Sequence, residues 1–194
     1  MRIAIATVAV LAAPLSGNAA EWQFDSAHTS AQFSVRHMMV STVRGAFSGI
    51  TGTASFDDKD FTKSTVKVTI PVTSLDTREP KRDAHLKSPD FFDAEKFPTL
   101  TFQSTKVVAS GTEGKFKVEG NLTIHGVTKP VVLEVEMTPD LKGPGGLRRG
   151  VSATTKVNRK DFGLMWNRPL EQGGVLVGDE VTIQIDAELV QAKA

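Results

Sequence analysis

The sequence contains no cysteine, has almost no net charge and has only one long apolar run. Without cysteine the chain cannot form disulfides, so its core must stabilise it, and zinc–thiolate sites and cysteine nucleophiles are excluded. Its 23 Lys and Arg residues balance 22 Asp and Glu residues. This balance argues against nucleic-acid binding, which depends on neutralising phosphates, and against a polybasic membrane-surface protein. We therefore expect no nucleic-acid partner.

The single apolar run lies at the start of the chain. Arg2 precedes it, residues 3–15 form it, and small residues follow. This order is typical of a secretory signal peptide, here residues 1–20, with cleavage after Ala19 or Ala20. The alternative is a membrane anchor, but the run is shorter than the ~20 residues that a spanning helix needs. We therefore expect an exported protein without stable membrane insertion.

The rest of the chain, residues 21–194, alternates between apolar and polar residues. The clearest case is Val181, Ile183 and Ile185, which are separated by Thr182 and Gln184. About eight such segments are joined by short turns, with no long helical pattern, repeat or linker. The pattern predicts one all-β domain, an antiparallel barrel of about eight strands with one short helical insertion. Such a barrel either fills its interior or holds one small ligand. A β-sandwich with a filled core is the alternative.

Glycines interrupt one of these segments. Residues 45–57 read as a single long strand that contains Gly45, Gly49 and Gly52. The apolar phase shifts between Phe47 and Ile50, which is the effect of one bulged residue. Glycines inside a strand also leave room for another group close to the backbone.

The helical insertion lies within residues 75–104. Thr77 is a candidate N-cap, and Pro80 is tolerated in a first helical turn, so we predict a helix over about residues 78–87. One face of that helix carries the basic residues Arg78, Arg82 and His85. Guanidinium groups match phosphate oxygens, so these residues are candidates for an anionic head-group site. The alternatives are a solvated helix face and a structural pairing of Arg82 with a carboxylate.

A second short helix is expected after Pro89, because a serine precedes this proline and an aspartate follows it. It would carry Phe91 and Phe92. An aromatic pair on a short mobile helix could cover the open side of a ligand cavity. The alternative is that both rings are ordinary core.

The sequence shows little sign of catalysis or of a metal centre. It contains no G-x-S-x-G, P-loop or G-x-G-x-x-G motif in the required context. Its histidines lack H-x-H and H-E-x-x-H spacing, which favours local hydrogen bonding at strand ends for His28, His37, His85 and His125. We expect no metal, no cofactor and no enzymatic activity. An enzyme that modifies a lipid head group is the alternative.

Several ordered motifs resemble those of one known family. They are DSAHT at 25–29, RDAHL at 82–86, DFF at 90–92, GNLTIHGVTKPV at 120–131 and NRKDFG at 158–163. In order and spacing the chain resembles the YceI-like family, periplasmic proteins that bind lipids and polyisoprenoids. The resemblance covers about residues 21–190, which is nearly the whole of the predicted domain.

The resemblance implies a lipocalin-like barrel with a long apolar tunnel and a location in the periplasm. It implies non-catalytic binding, storage or transport of a prenyl diphosphate, an isoprenoid quinone or a similar long amphiphile. It leaves the oligomeric state open, a homodimer included. The residues expected to line the tunnel are Phe33, Val35, Phe47, Val68, Ile70, Phe91, Phe92, Phe102, Leu122, Ile124, Leu133, Val135, Phe162, Trp166 and Ile183.

Overall fold

The computed structural model describes residues 19–57, 59–143, 145–171 and 173–192. The predicted signal peptide lies outside this part of the chain except for its last two residues. The described ranges contain eleven strands and one α-helix, α1, which spans Pro80–Lys87. The strands are β1 Ala19–Phe24, β2 Ser30–His37, β3 Ser41–Phe47, β4 Thr51–Asp57, β5 Thr65–Pro71, β6 Thr99–Ala109, β7 Lys115–Ile124, β8 Val127–Met137, β9 Leu141–Gly143, β10 Gly146–Asn158 and β11 Val177–Gln191.

Eight of the strands close into an antiparallel barrel in the order β1, β4, β5, β6, β7, β8, β10 and β11. The ring closes because β11 pairs with β10 along one edge and with β1 along the other. This architecture confirms the predicted all-β, lipocalin-like barrel with one short helical insertion. Nothing in the described ranges forms a helix with the length and hydropathy of a membrane span.

The longest strand, β11, also joins the barrel to a side hairpin. Residues 189–191 pair with β1, and residues 177–186 pair with β2 along the same edge. β2 pairs in turn with β3, which is bridged to the segment after β5 by two backbone hydrogen bonds between Ala46 and Asp76, 2.9 and 3.0 Å. The hairpin therefore extends the wall where β11 begins. We call this the hairpin end of the barrel, and the end near Gln191 the terminal end.

Inward and outward side chains alternate along the strands, as the period-2 pattern predicts. In β11, Val181, Ile183 and Ile185 face the interior. Outward residues form cross-strand ion pairs, for example Lys156 in β10 with Glu180 in β11 at 2.9 Å. The apolar face is thus enclosed by closure of the sheet on itself rather than by a second layer.

The predicted long strand over residues 45–57 is wrong. The chain forms two strands there, β3 and β4, joined by a turn over residues 48–50. Gly49 has a φ of +64°, a conformation that glycine adopts at little cost and that reverses the chain. The phase shift between Phe47 and Ile50 therefore marks a turn and not a bulge.

The predicted helices also differ from the structure. The first helix begins at Pro80, later than expected, and its N-cap is Glu79, whose side chain accepts from the Lys81 amide. Arg78 precedes the helix with a φ of +62°, so it cannot continue the helical face. No second helix follows, because residues 89–92 form turns.

Candidate ligand-binding cavity

The barrel encloses an apolar cavity of about 230 Å³. It extends from residues of the terminal end, such as Phe24, to residues of the hairpin end, such as Val177. Every phenylalanine of the chain except Phe97 lines it. Its lining is apolar apart from Gln32, Ser64, Thr101, Thr155 and Arg159. Because an apolar cavity of about 150 Å³ already binds a molecule the size of benzene, this one is large enough to hold an apolar ligand.

Several inward side chains stay partly exposed although strands surround them. They include Phe33, Val68, Ile70, Leu122, Val131 and Ile183. Inward residues of a filled core would be fully buried at close-packed density. Since these residues line the cavity, their accessible surface faces its interior. The barrel is therefore hollow, and the alternative of a sandwich with a filled core is wrong.

The structure places all but one of the predicted tunnel residues on the wall of this cavity. Those on the wall are Phe33, Val35, Phe47, Val68, Ile70, Phe91, Phe92, Phe102, Leu122, Ile124, Leu133, Val135, Phe162 and Ile183. Trp166 does not line the cavity. Its ring centroid lies 5.2 Å from that of Phe91 and 4.8 Å from that of His85, so it packs behind the wall.

Two glycines leave room for aromatic rings at the wall. A Cβ atom at Gly45 would lie 2.5 Å from the Phe33 ring, and one at Gly120 would lie 2.3 Å from the Phe102 ring. Both distances are far below van der Waals contact. Phe33 and Phe102 therefore rest against backbone rather than projecting fully into the cavity. Glycines within strand patterns are the sequence signal for this packing, but they do not say which ring fills the space.

Phe91 and Phe92 reach the cavity from turns rather than from a helix. The Phe91 amide bonds the Ser88 carbonyl at 3.0 Å, and the Phe92 amide bonds the Leu86 carbonyl at 3.0 Å. Phe91 is 6% exposed, and Phe92 is half-buried with its ring edge-on to Phe47 at 5.7 Å. The two rings line the hairpin end of the cavity, and their action as a lid stays a prediction.

The three residues predicted to bind a head group contact different parts of the protein. Arg82 donates from Nε to the Thr77 hydroxyl at 2.8 Å and from Nη2 to the Thr77 carbonyl at 2.9 Å. His85 shares a hydrogen bond of 2.8 Å with Asp90. Arg78 lies outside the helix and is exposed. The structure therefore does not form the single basic face that the sequence predicted, and none of the three lines the cavity.

Arg159 is the charged residue that lines the cavity in the described part of the chain, and the sequence analysis missed it. It is 4% exposed. Its donors all bond acceptors at the hairpin end: the carbonyls of Leu164, Trp166, Val177 and Gly178, and the Asp179 carboxylate. Burial lowers the pKa of Arg159, and Asp179 opposes this shift. With its hydrogen-bonding capacity used, Arg159 braces the loop after β10 rather than offering donors to a ligand.

A second buried arginine lies at the terminal end. Arg149 is 7% exposed and donates from Nε to Asp140 at 2.6 Å. Its guanidinium lies 4.7 Å from the Trp22 ring, 4.8 Å from the Phe56 ring and 5.6 Å from the Phe61 ring. These cation–π contacts make the terminal end a packed aromatic cluster. In the sequence, Arg149 is one charged residue within an alternating strand pattern, and that pattern does not indicate that its side chain is buried.

A small polar cluster lies outside the cavity. Asp25, His28 and Glu188 each place a metal-ligand atom within 4.8 Å of the others. However, Arg148 donates to both Asp25 and Glu188, so a metal ion would compete with this guanidinium group for the two carboxylates. Hydrogen bonds from His28 and then Arg148 lower the pKa of Asp25 to about 2. We assign this cluster a structural role, and the expected absence of a metal stays a prediction.

Comparison with known proteins gives a family match over most of the chain. The YceI-like domain matches residues 22–189. A UPF0312 protein of Vibrio cholerae is 40% identical over 165 residues, which cover 84% of this chain and 87% of that protein.

Solved structures with similar folds include BcnA of Burkholderia cenocepacia. It has a TM-score of 0.75 and 23% identity, and the match covers 85% of this chain and 98% of BcnA. A polyisoprenoid binding domain from Saccharophagus degradans, implicated in plant cell wall breakdown, has a TM-score of 0.65 and 14% identity. That match covers 88% of this chain and 98% of the domain. At these identities the similarity is one of fold.

Proposed function

The chain belongs to the YceI-like family, and we propose that it binds a polyisoprenoid or a similar long amphiphile inside the barrel without catalysing a reaction. One observation carries this proposal: a continuous, almost wholly apolar cavity, several of whose inward side chains remain partly exposed. Ligand sites are typically apolar with a few polar groups that fix orientation. The polyisoprenoid-binding domain of the same fold supports the same class of ligand.

The polarity of the cavity favours an uncharged head group, such as a quinone or an alcohol, over a diphosphate. Burying an anion requires charge-assisted donors. The cation on the cavity wall, Arg159, is committed to backbone carbonyls and Asp179. The polar side chains that remain there are neutral: Gln32, Ser64, Thr101 and Thr155. An isoprenoid with a neutral head therefore matches the lining better than a prenyl diphosphate.

A binding role without catalysis fits the same lining. The described wall of the cavity carries no histidine, aspartate, glutamate or lysine. General acid–base catalysis needs such a group within hydrogen-bond reach of the substrate. The wall does carry the hydroxyls of Ser64, Thr101 and Thr155, but a hydroxyl nucleophile requires an adjacent base.

Two measurements test this proposal. Mass spectrometry of an organic extract of the purified protein should detect a co-purified isoprenoid or a similar long-chain lipid. Incubation of this lipid with the protein should leave the lipid chemically unchanged. In direct titrations, farnesol should bind at least as tightly as farnesyl diphosphate. Arg82→Ala should change both affinities by the same factor, because Arg82 is bonded to Thr77 and not to the cavity. Tighter binding of the diphosphate, lost selectively in Arg82→Ala, would contradict the neutral-head proposal.

We also propose that the protein acts in the periplasm, as the pattern over residues 1–20 predicts. Arginine at both Val8 and Val10 interrupts the apolar run and should retain the precursor in the cytoplasm. Cell fractionation with an antibody measures this. A cleaved periplasmic form of that variant would contradict the proposal.

A further inference from the structure

One turn exposes consecutive large apolar side chains to solvent. Met38, Met39 and Val40, between β2 and β3, are 43%, 59% and 79% exposed. We call them the hairpin tip. The other exposed large apolar residues in the described chain occur singly: Val132, Leu141 and Met165. Single apolar residues on a surface are ordinary, whereas a contiguous group indicates a binding surface.

The backbone of the hairpin tip does not favour these residue types. Met38 and Met39 have φ angles of +49° and +63°, a region where two-residue turns prefer glycine, asparagine or aspartate. The conformation is held by bonds from the Met38 amide to the Leu176 carbonyl, 2.8 Å, and from Arg36 to the Met39 carbonyl, 2.7 Å. Neither local conformation nor core packing therefore explains two methionines at this turn.

The hairpin tip lies beside the cavity. The residue before it, His37, pairs with Val177, which lines the cavity wall. Leu176, which accepts from Met38, donates in turn to the Arg168 carbonyl at 2.9 Å. The loop that carries Arg168 also carries exposed Met165. The hairpin end thus combines an apolar projection with the end of the cavity that Phe91 and Phe92 line.

The hairpin carries two arginines and no acidic residue, and the adjacent loop carries Arg168 together with Glu171. Arg36, Arg44 and Arg168 are exposed on the hairpin and the adjacent loop. The acidic residues of β11 nearest to the hairpin tip already have cationic partners. Asp179 forms ion pairs with Arg159 and Lys160, and Glu180 forms one with Lys156. An apolar projection with a cationic border is complementary to the interface of a lipid bilayer that has anionic head groups.

We propose that the hairpin tip docks the barrel reversibly on an anionic phospholipid bilayer, with the hairpin end of the cavity toward the lipid. A stable protein–protein interface buries about 800 Å² and 20–30 residues per partner, which a three-residue tip cannot supply. Shallow insertion into a membrane interface requires only a few apolar side chains beside cations. The docking site itself does not depend on the identity of the ligand, but its use in lipid exchange rests on the proposed function.

The absence of cysteine permits a local test. An environment-sensitive nitrobenzoxadiazole label on Met39→Cys should shift its emission to the blue with vesicles of equal parts phosphatidylcholine and phosphatidylglycerol. The same label on Leu141→Cys is the matched control, because Leu141 is exposed at β9, which pairs with the part of β10 next to the terminal end. No shift at position 39, or equal shifts at both positions, would overturn the proposal. If the emission of the label at position 39 shifts with protein concentration in the absence of vesicles, a second copy of the protein covers the tip. That result would also overturn the proposal.

A substitution separates docking from ligand binding. Met39→Asn suits the positive φ of this position. It should weaken vesicle binding about tenfold, because it removes one methionine side chain that inserts into the bilayer. Leu141→Asn should leave vesicle binding unchanged. Farnesol binding in vesicle-free solution should be the same in both variants. If neither variant nor wild type binds farnesol while vesicle binding still depends on Met39, the proposed function fails and docking stands. If Met39→Asn keeps wild-type vesicle affinity, docking fails whatever the ligand result.

Discussion

Arg159 shows how one residue stabilises the hairpin end of the cavity. Its guanidinium bonds backbone carbonyls of two segments, the loop at Leu164 and Trp166 and the start of β11 at Val177 and Gly178. The Val177 carbonyl also accepts from Asn167, and an unsatisfied buried carbonyl costs about 1–3 kcal/mol. Arg159 therefore holds the loop in place from beneath.

Replacing Arg159 should strongly destabilise the protein. Arg159→Met leaves several buried carbonyls and Asp179 without this partner, and the expected loss is about 3–5 kcal/mol in the free energy of unfolding. Lys160→Met, which removes a partly exposed pairing with Asp179, should cost no more than about 1 kcal/mol. Urea unfolding measures both. Equal effects of the two substitutions would contradict the bracing role of Arg159.

Asp25 should make stability depend on pH in the acid range. Hydrogen bonds from His28 and Arg148 hold its folded pKa at about 2, below the unfolded value of about 3.9. The ionised carboxylate therefore stabilises the fold above about pH 4, and this contribution disappears as the pH falls toward 2. Asp25→Asn should flatten this part of the stability curve, which urea midpoints across the acid range measure. A curve for Asp25→Asn parallel to that of wild type would refute the assignment.

At the scale of single residues, the sequence predicted the wall of the cavity better than its charged residues. Period-2 alternation determines which side of a strand faces inward, and Val68, Leu122 and Ile183 do lie on the cavity wall, while their contact with a lipid stays a prediction. Burial of Arg149 and Arg159 depends on partners far along the chain or in loops. No local pattern contains that information, and both arginines were missed.

Among the elements, the segment around α1 departed most from expectation. The sequence indicated an N-cap at Thr77, but Thr77 is 4% exposed and its amide bonds Asp83 at 2.9 Å. Arg82 bonds the same threonine. Thr77 thus ties the start of the segment to α1 by tertiary contacts, and the helix begins only at Pro80. The existence of a short helix was predictable from local signals, whereas its first residue was not.

This segment supplies the prediction about the lid. If Phe91 and Phe92 cover the hairpin end of the cavity, replacing Phe92 by alanine should speed ligand dissociation more than the lost stability explains. Phe91→Ala, at a more buried position, should also lower stability by about 3–5 kcal/mol. Stopped-flow release of a fluorescent prenyl probe, measured beside thermal unfolding, separates the two effects. Wild-type release rates in both variants would leave the segment as a structural brace.

For the whole molecule, the central property is a closed sheet around an unfilled interior. Closure followed from the number of alternating segments, because such strands must bury one face. The hollow interior did not follow, since cores and ligand cavities use the same apolar residue types. What distinguishes them is geometry: the partly exposed side chains among the inward residues and the rings that rest against Gly45 and Gly120.

A hollow barrel predicts an unusual response to overpacking. In a filled core, an added aromatic ring costs about 1–3 kcal/mol through strain. Val131 lies at the waist of the barrel. It packs against two groups of buried residues, one that includes Ile124 and one that includes Leu133, and it faces the cavity. Val131→Phe should therefore keep or raise the melting temperature, because the ring enters existing space, while it blocks ligand binding.

The adjacent residue provides the matched control for that substitution. Val132 is on the same strand, points outward and is 46% exposed. Val132→Phe adds the same volume outside the barrel and should change neither the melting temperature nor the affinity for a prenyl alcohol. Calorimetry for stability and titration for binding compare the two variants directly. Two outcomes would contradict a cavity that runs through the waist. A large loss of stability in Val131→Phe would mean that the waist is already filled, because a filled waist has no room for the ring. Retained ligand binding with stability intact would mean that the ligand does not pass the waist, because the cavity cannot hold the new ring and the ligand there together.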